Sequence, residues 1–320
     1  MRALPRSFRP YAWAISTDEA ARIAGIPRED VLRFDANTAP HPPAAAPDAL
    51  STALAHVHHY PHGGYVELTA AIAEYARVEP ENVVLGAGAD DLILLVARAF
   101  AGPGDQVAIM DEPTYPLFRV AVWLAGAEVG DEQPVVTFCC RPHNPTGALG
   151  VIPAARPLVV DEAYYEYCGE TAALLDEGVV VIRTLSKAFA LAGARVGYAL
   201  APRELARELN ARQAPAPIST LSATLALASL RDPPDVREVV EERERLAARL
   251  RELGLGPLPS SANFLYVPLH RPQEVSERLL AGGMLVREYP SAIRVTVLDR
   301  PSNERLVDVL AETVGDLAIR

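Results

Sequence analysis

The sequence predicts an α/β protein in which a mainly parallel sheet is covered by helices on both faces, followed by a smaller α+β domain. Up to about residue 200, apolar β-branched runs alternate with helical patterns, as they do in proteins built from β-α-β units. After Arg212 the pattern changes, and longer helical segments alternate with short strand-like runs. A chain of 320 residues is long enough for two domains.

The larger domain is predicted from its strands and the helices between them. Strands are expected at residues 82–86, 106–110, 135–140, 158–160, 179–184 and 196–200. Helical patterns cover residues 65–78 and 90–101, and the second begins near Asp90 and ends at Gly102. The Pro/Ala-rich residues 40–47 predict an extended connector.

The smaller domain is predicted from the residues that follow Asp232. An amphipathic helix over residues 232–253 carries apolar side chains at three- and four-residue spacing and ends at Gly254. It is followed by strand-like runs at 263–268, 284–287 and 293–298 and by helices at 273–281 and 303–317. The long helix is expected to join this unit to the larger domain.

Composition argues against several classes of protein. The formal net charge of −11 and the pI near 5.2 argue against a nucleic-acid or anionic-membrane partner. No run approaches the roughly 20 apolar residues of a membrane span, and no secretory signal is visible at the start. The three cysteines, Cys139, Cys140 and Cys168, fit no disulfide framework, so we expect reduced thiols in a cytoplasmic protein.

A histidine-rich segment precedes the first long helix. Its histidines are His56, His58, His59 and His62. Pro61 and two glycines make the segment irregular, and no second cluster of metal ligands accompanies it, so no metal site is predicted. A polar loop near a site or an interface is the favoured interpretation.

The chain contains a single lysine, Lys187, among 30 basic residues. An amine that must form a Schiff base cannot be replaced by a guanidinium, because a guanidinium stays protonated. Ser186 precedes the lysine, and three small residues lead to Arg195. This arrangement suits an aldehyde cofactor that carries a phosphate: Lys187 would bind the aldehyde, and Ser186 and Arg195 would hold the phosphate.

Other polar residues follow predicted strands at the edge of the sheet where parallel sheets bind ligands. Asp161 ends an apolar strand, and a carboxylate there would keep a pyridine nitrogen protonated. Asn144, in an Asn-Pro-Thr-Gly turn, and Tyr164 are placed to reach a phenolic oxygen of the same ring. Glu166, two residues beyond Tyr164, is expected at the solvated surface.

Two further elements complete the predicted cofactor site. Gly88, Ala89 and Asp90 open a helix whose N–H groups and dipole suit a phosphate. Tyr115 follows a strand at the same edge and is expected to lie flat on the cofactor ring. Together these elements surround the only lysine of the chain.

These motifs resemble those of the fold-type I pyridoxal-phosphate-dependent aminotransferases, and within them the histidinol-phosphate aminotransferases. The matching segments are residues 35–37, 59–61, 88–90, 114–115, 144–147, 161–164, 186–193, 262–264 and 293–297. The resemblance implies an aspartate-aminotransferase-like fold with a mainly parallel seven-stranded sheet sandwiched by helices. It also implies an N-terminal arm (1–34) that is part of the small domain, a large cofactor domain (35–230) and a small C-terminal domain (231–320).

The resemblance implies pyridoxal 5'-phosphate as the cofactor and a role for each matching residue. Lys187 resembles the Schiff-base lysine that also moves the proton, Asp161 the partner of the pyridine nitrogen, and Tyr115 the stacking ring. Asn144 and Tyr164 resemble the ligands of the phenolic oxygen. The residues implied to hold the phosphate are Gly88, Ala89, Asp90, Ser186 and Arg195.

The resemblance also implies the partners, which are an amine with an anionic group and a 2-oxo acid. Arg294 resembles the arginine that binds the substrate's anion, with Asn37 and Asn263 nearby. Arg287 resembles the arginine that grips a phosphorylated side chain. Tyr60 is implied to reach the cofactor phosphate of a neighbouring subunit, so we expect a homodimer with shared active sites.

The substrate-side motifs depart from the family more than the cofactor motifs do. Residues 37–40 lack the usual glutamate, Leu298 stands where glycine is usual, and the stretches 127–135 and 147–161 are short. Transamination, with histidinol phosphate as the leading substrate, is the main prediction. A pyridoxal-phosphate decarboxylase or lyase of a phosphorylated amino acid such as threonine phosphate is the alternative. A non-catalytic sensing domain is less favoured, and residues 86–91 lack the last glycine of a Rossmann dehydrogenase motif.

Overall fold

The structure, a computed structural model, describes residues 8–11, 13–44, 46–61, 64–171 and 175–313, without the side chain of Thr52. Its strands are β1 (Leu32–Arg33), β2 (Val83–Gly86), β3 (Gln106–Ile109), β4 (Glu128–Val129), β5 (Val136–Cys140), β6 (Leu158–Asp161), β7 (Val179–Thr184), β8 (Gly197–Leu200), β9 (Phe264–Pro268), β10 (Met284–Leu285), β11 (Arg287–Tyr289) and β12 (Ala292–Thr296). Its α-helices are α1 (Thr17–Ala24), α2 (Ala46–Leu54), α3 (Val66–Ala76), α4 (Ala89–Phe100), α5 (Leu117–Ala125), α6 (Tyr165–Cys168), α7 (Arg203–Asn210), α8 (Thr220–Arg231), α9 (Arg237–Glu252), α10 (Pro272–Ala281) and α11 (Arg300–Thr313). Short 3₁₀ helices cover Arg28–Asp30, Pro80–Asn82 and Ala192–Ala194.

The larger sheet has seven strands in the order β2-β8-β7-β6-β5-β3-β4. β8 runs antiparallel to its neighbours β2 and β7, and the other pairs are parallel. The predicted mainly parallel seven-stranded sheet is therefore confirmed. Its edge strand β4 has only two residues, so no apolar run marked it in the sequence.

Helices cover both faces of this sheet because its central strands are apolar on both sides. β5, β6 and β7 are buried along their whole length. Leu158 and Val160 of β6 pack with α3 and α8 in one cluster, whereas Val159 packs with α4 and α5 in a second cluster. Since side chains alternate along a strand, Asp161 projects on the same face as Val159.

The C-terminal part of the chain contains a three-stranded antiparallel sheet in the order β11-β12-β9, and β10 pairs in parallel with β1. Its apolar core includes Leu246 of α9, Leu279 of α10 and Leu306 of α11. The predicted single strand at 284–287 is wrong, because the chain divides at Val286 and the two halves pair with different strands. The domain limits at residues 34/35 and 230/231 remain a prediction.

Two predicted segments have different bounds in the structure. The helix expected from residue 232 begins at Arg237, since the two prolines that follow Asp232 disfavour helical backbone in the residues before them. α2 begins at Ala46, inside the predicted extended connector. Residues 314–317 of the last predicted helix lie outside the described residues. Of the helices that the structure describes, none is long and apolar enough to cross a membrane.

Candidate active site

A cavity of about 520 Å³ lies where the parallel strands of the large sheet end. β6 ends at Asp161, while Tyr115, Asn144 and Lys187 follow β3, β5 and β7 along the chain. Its lining includes Ala89, Asp90, Tyr115, Asn144, Asp161, Tyr164, Ser186, Lys187 and Arg195. The structure therefore brings most of the predicted cofactor residues together in one place.

The amine of Lys187 lies inside this cavity. Its Nζ donates a hydrogen bond to the backbone oxygen of Ala36 (3.2 Å) and lies 5.9 Å from the centre of the Tyr164 ring. Burial, and next the positive charge of Arg294, lower the pKa of the amine to about 8. More of the amine is therefore neutral near pH 7 than in a solvated lysine, and the neutral amine is the form that attacks a carbonyl carbon.

The carboxyl group of Asp161 is 3 % exposed and accepts a hydrogen bond from the N–H of Ala163 (3.0 Å). Burial raises the pKa of this carboxyl to about 7. A protonated ring nitrogen that entered the cavity would stabilise the ionised form. The group therefore fits the predicted partner of a pyridine nitrogen.

The raised pKa of Asp161 predicts how the stability of the cofactor-free protein depends on pH. Its value is about 7 in the folded protein against 3.8 normally, so the folded state binds the proton more tightly and stability falls as the pH rises between these values. At about pH 8 we expect the free energy of unfolding of Asp161→Asn, measured with urea, to exceed that of the unaltered protein by a few kcal/mol. One pKa unit corresponds to about 1.4 kcal/mol. At about pH 4 the difference should vanish because the aspartate is then neutral in the folded state. An equal difference at both pH values would contradict this assignment.

At one end of the cavity, the turn before α4 meets Arg195. Gly88 has a φ of +83°, and a Cβ there would lie 2.6 Å from Nη2 of Arg195. A Cβ on Gly197 would lie 2.5 Å from the carbonyl carbon of Gly88. Because both positions are glycine, the start of α4 lies close to the Arg195 guanidinium, and these groups and the Ser186 hydroxyl can surround one anion.

Asp90 holds two of the surrounding side chains in position. Its Oδ1 accepts a hydrogen bond from the hydroxyl of Tyr115 (2.8 Å), and its Oδ2 accepts one from Nη2 of Arg195 (2.8 Å). The carboxylate is thus engaged by these two groups. The part of Asp90 that suits a phosphate is its backbone N–H at the start of α4.

Tyr164 and Asn144 line the cavity and already have side-chain partners. Nδ2 of Asn37 donates to the Tyr164 hydroxyl oxygen (2.9 Å), and Nη1 of Arg294 donates to Oδ1 of Asn144 (2.6 Å). Burial raises the pKa of Tyr164, so its hydroxyl stays protonated. The Tyr164 hydroxyl and the Asn144 amide nitrogen are therefore both donors for an anionic oxygen.

A second cavity of about 260 Å³ shares Asn144, Tyr164 and Lys187 with the first. Its walls also carry Arg287 and Arg294, which are opposite residues of the β11–β12 pair. Like charges at opposite positions destabilise a sheet unless an anion compensates them. This pair therefore indicates an anion site next to the lysine.

The two arginines differ in how they are held. Arg294 is 7 % exposed, and its Nη2 donates to the backbone oxygen of Asp35 (2.8 Å). Within the described part of the chain, its buried Nε has no hydrogen-bond partner and Arg287 has no ion-pair partner. The Arg287 guanidinium therefore remains for a ligand, while Arg294 is fixed in the cavity wall by its partners.

Asn37 and Asn263 are buried and bonded to each other. Nδ2 of Asn263 donates to the backbone oxygen of Asn37 (3.1 Å), and Asn37 has a φ of +52°. The three backbone oxygens of residues 35–37 accept hydrogen bonds from Arg294, Lys187 and Asn263 in turn. The two asparagines thus fix the segment that orients the lysine and the arginine.

The family described as aminotransferase class I and II matches residues 29–131 and 130–310. The chain belongs to this family. Pyridoxal phosphate is the cofactor of these enzymes, so family membership confirms the predicted cofactor. It equally confirms the predicted class of enzyme.

Similar proteins cover the chain almost completely. "Histidinol-phosphate aminotransferase 2" of Carboxydothermus hydrogenoformans is 32 % identical over 97 % of this chain and 98 % of its own. Its namesake in Archaeoglobus fulgidus is 31 % identical over 98 % of this chain and 100 % of its own. The histidinol-phosphate aminotransferase of Sinorhizobium meliloti in complex with pyridoxal-5'-phosphate has a TM-score of 0.82 at 24 % identity, covering 97 % and 98 % of the two chains.

A protein with another activity has a similar fold. The L-threonine-O-3-phosphate decarboxylase of Porphyromonas gingivalis has a TM-score of 0.77 at 19 % identity, covering 88 % of this chain and 99 % of its own. At such identities the likeness shows the fold alone. The fold therefore does not by itself specify an activity.

In the structure, Tyr60 does not lie with the other predicted cofactor residues. The Tyr60 side chain is 85 % exposed and lies outside both cavities. His56, His58 and His59 of the same segment are also exposed, and His62 lies outside the described residues. The expected contact with a second subunit remains a prediction.

Two aromatic residues of the candidate site were not predicted from the sequence. Tyr11 and Trp13 line both cavities, and their rings contact each other edge to face with centres 5.6 Å apart. Only 6 % of the residues are aromatic. Two aromatic residues close together before the first helix could therefore have indicated a wall of the site. Their rings enlarge the apolar part of the wall.

His143 was also not predicted from the sequence. His143 lies with Nε2 3.0 Å from the backbone oxygen of Asp111 and Nδ1 2.8 Å from the Thr146 hydroxyl. Burial lowers the pKa of His143, which favours the neutral ring. This contact ties the turn that carries Asn144 to the loop that leads to Tyr115.

A buried ion pair lies on the face of the large sheet opposite to Asp161. Nη2 of Arg183 is 2.9 Å from Oε2 of Glu162, and their side chains are 2 % and 0 % exposed. The Arg183 guanidinium carbon lies 3.4 Å from the centre of the Tyr165 ring. The expectation that Glu166 is solvated is wrong: it is half-buried beside this pair, and burial raises its pKa to about 7.

The predicted free thiols are confirmed. Cys139, Cys140 and Cys168 form no disulfide. Cys140 lines the larger cavity, but burial raises the pKa of its thiol, as it raises that of Cys139 to about 12. Both groups therefore stay protonated, which is the unreactive form of a thiol.

Proposed function

We propose that this aminotransferase moves an amino group between histidinol phosphate and a 2-oxo acid. The observation that carries the proposal is the pair of arginines, Arg287 and Arg294, in the cavity that also contains Lys187. Two guanidinium groups beside a reactive amine suit an amine substrate that carries a phosphate. The names of the most similar relatives support the same substrate.

The first cavity fits pyridoxal phosphate, because glycine lets the start of α4 lie close to the Arg195 guanidinium and Asp161 offers a buried carboxyl. We assign the cofactor phosphate to residues 88–90, Ser186 and Arg195, the ring nitrogen to Asp161, the phenolic oxygen to Asn144 and Tyr164, and the ring face to Tyr115. When bound, the cofactor supplies an aldehyde carbon for an amine and a ring that withdraws electrons.

We assign the proton transfers to Nζ of Lys187. With a pKa of about 8, this amine can accept a proton and return it near neutral pH, where general acid–base catalysis is most efficient. Its hydrogen bond to the Ala36 oxygen keeps Nζ directed along the cavity wall shared with the substrate side. The same atom can therefore serve both halves of a transamination.

A single half-reaction tests this function. We expect histidinol phosphate to convert the visible absorption of the pyridoxal-phosphate enzyme to the near-ultraviolet absorption of the aminated cofactor, without release of carbon dioxide. O-Phosphothreonine is the comparison substrate for the decarboxylase alternative. Carbon dioxide released from it, together with an unchanged spectrum in histidinol phosphate, would contradict the proposal.

We also propose that the enzyme is a cytoplasmic homodimer with shared active sites. Tyr60 is exposed and does not line its own cavity, which supports a role in the site of a second copy. Leu54, Val57 and Val66 in the same region are 59 %, 54 % and 68 % exposed. Several large apolar side chains in one exposed region suit contact with another protein surface.

A further inference from the structure

A third arginine lies in the substrate cavity and is already paired. Arg33, at the end of β1, lines the 260 Å³ cavity together with Arg287 and Arg294. Its Nε and Nη2 each lie 2.8 Å from one carboxylate oxygen of Asp35, a bidentate contact, and its Nη1 donates to Oγ1 of Thr17 (3.1 Å). The Asp35 side chain is only 4 % exposed.

Asp35 lies in the same cavity walls as the two arginines that would bind an anion. The backbone oxygen of the same residue accepts a hydrogen bond from Arg294 (2.8 Å). Asp35 also lines a neighbouring cavity of about 300 Å³, and Arg287 lines that cavity too. A negative charge at Asp35 would therefore compete with a substrate phosphate for both arginines unless another cation neutralised it.

We propose that Arg33 is a positioning residue that sets the preference for phosphorylated substrates. By pairing with Asp35, it neutralises a buried carboxylate and leaves Arg287 and Arg294 for the substrate. Arg33 acts through Asp35 and does not itself hold the phosphate. This inference rests on the proposed function, because it concerns the anionic group of the same substrate.

The bond to Thr17 offers Arg33 a second, purely structural role. Thr17 opens α1, and the residues before it include Tyr11 and Trp13 of the cavity wall. Arg33→Met removes both the Thr17 bond and the neutralisation of Asp35. The double variant Arg33→Met/Asp35→Asn also lacks the Thr17 bond, but it contains no unpaired carboxylate. Comparing the two separates charge from structure.

The experiment compares kcat/KM for histidinol phosphate and for unphosphorylated histidinol in the holoenzyme. For Arg33→Met we expect a loss of roughly tenfold or more with histidinol phosphate, through KM, because the Asp35 carboxylate would then repel the substrate phosphate. Histidinol should change much less. The double variant should recover most of the loss, and Asp35→Asn alone should discriminate at least as well as the unaltered enzyme.

Equal losses for both substrates in Arg33→Met, or a double variant as impaired as the single one, would overturn the inference. Arg287→Ala provides the reference, since it removes an arginine assigned to the phosphate itself. If the unaltered enzyme does not prefer histidinol phosphate, both the proposed function and this inference fall. If it does, and Arg33→Met keeps that preference, only this inference falls.

Discussion

Replacing Lys187 with alanine is expected to lower the rate of transamination by at least roughly 10⁴-fold, since general acid–base catalysis alone contributes up to about that factor. The chain has no other lysine that could take over the reaction. The absorption that depends on a covalent link between Nζ and the cofactor should disappear with the activity. Steady-state rates and the visible spectrum of the purified variant measure both effects.

Lys187→Arg is the matched control, because it keeps a positive charge but a guanidinium stays protonated and cannot react with an aldehyde. We expect it to be as inactive as the alanine variant. Both variants should still bind pyridoxal phosphate weakly through Ser186 and Arg195, which fluorescence titration can detect. An active alanine variant with an unchanged spectrum would exclude the assigned role of Lys187.

Breaking the buried pair between Glu162 and Arg183 is expected to have the second largest effect. Arg183→Met removes the guanidinium that pairs with the carboxylate of Glu162, which is 0 % exposed. Removing one partner of a buried pair typically destabilises a protein by about 3–5 kcal/mol. Urea unfolding of the variant should show a loss of this size in the free energy of unfolding.

Two controls test the cause of that loss. Arg183→Met/Glu162→Gln has no unpaired charge and should recover much of the stability. Arg212→Met breaks the exposed pair between Arg212 and Glu208, whose side chains are 50 % and 54 % exposed, and it should cost far less stability than Arg183→Met. If Arg183→Met were no less stable than its double variant, the uncompensated charge would not be the cause.

Much of the cofactor site could be predicted because each residue is tied to a local pattern. Asp161 ends an apolar strand, and Lys187 and Asn144 follow others within a few residues. The carboxyl ends of parallel strands meet at one edge, so correct strands place these residues together without any knowledge of long-range contacts. The single lysine then identified the chemistry.

Errors arose where a segment's structure depends on distant partners. Residues 284–287 form one apolar run, but β10 pairs with β1 and β11 pairs with β12, so the strand divides. Glu166 is polar and close to a turn, yet Tyr75 of α3 donates to its carboxylate (3.3 Å) in a half-buried setting. The pairing with β1 and the contact with Tyr75 are not visible in the local sequence, because both partners lie far along the chain.

By itself, the sequence determined the α/β class and the cofactor, and it predicted the lysine chemistry and the set of cofactor residues, since these depend on side-chain periodicity and on residue types that cannot be exchanged. Only the tertiary structure decided which charges neutralise one another. Arg33 pairs with Asp35 and Arg183 with Glu162, while Arg287 and Arg294 stay opposite each other beside Lys187. Charge pairing requires distances of a few ångströms, and in a folded chain those distances are set by packing rather than by order along the sequence.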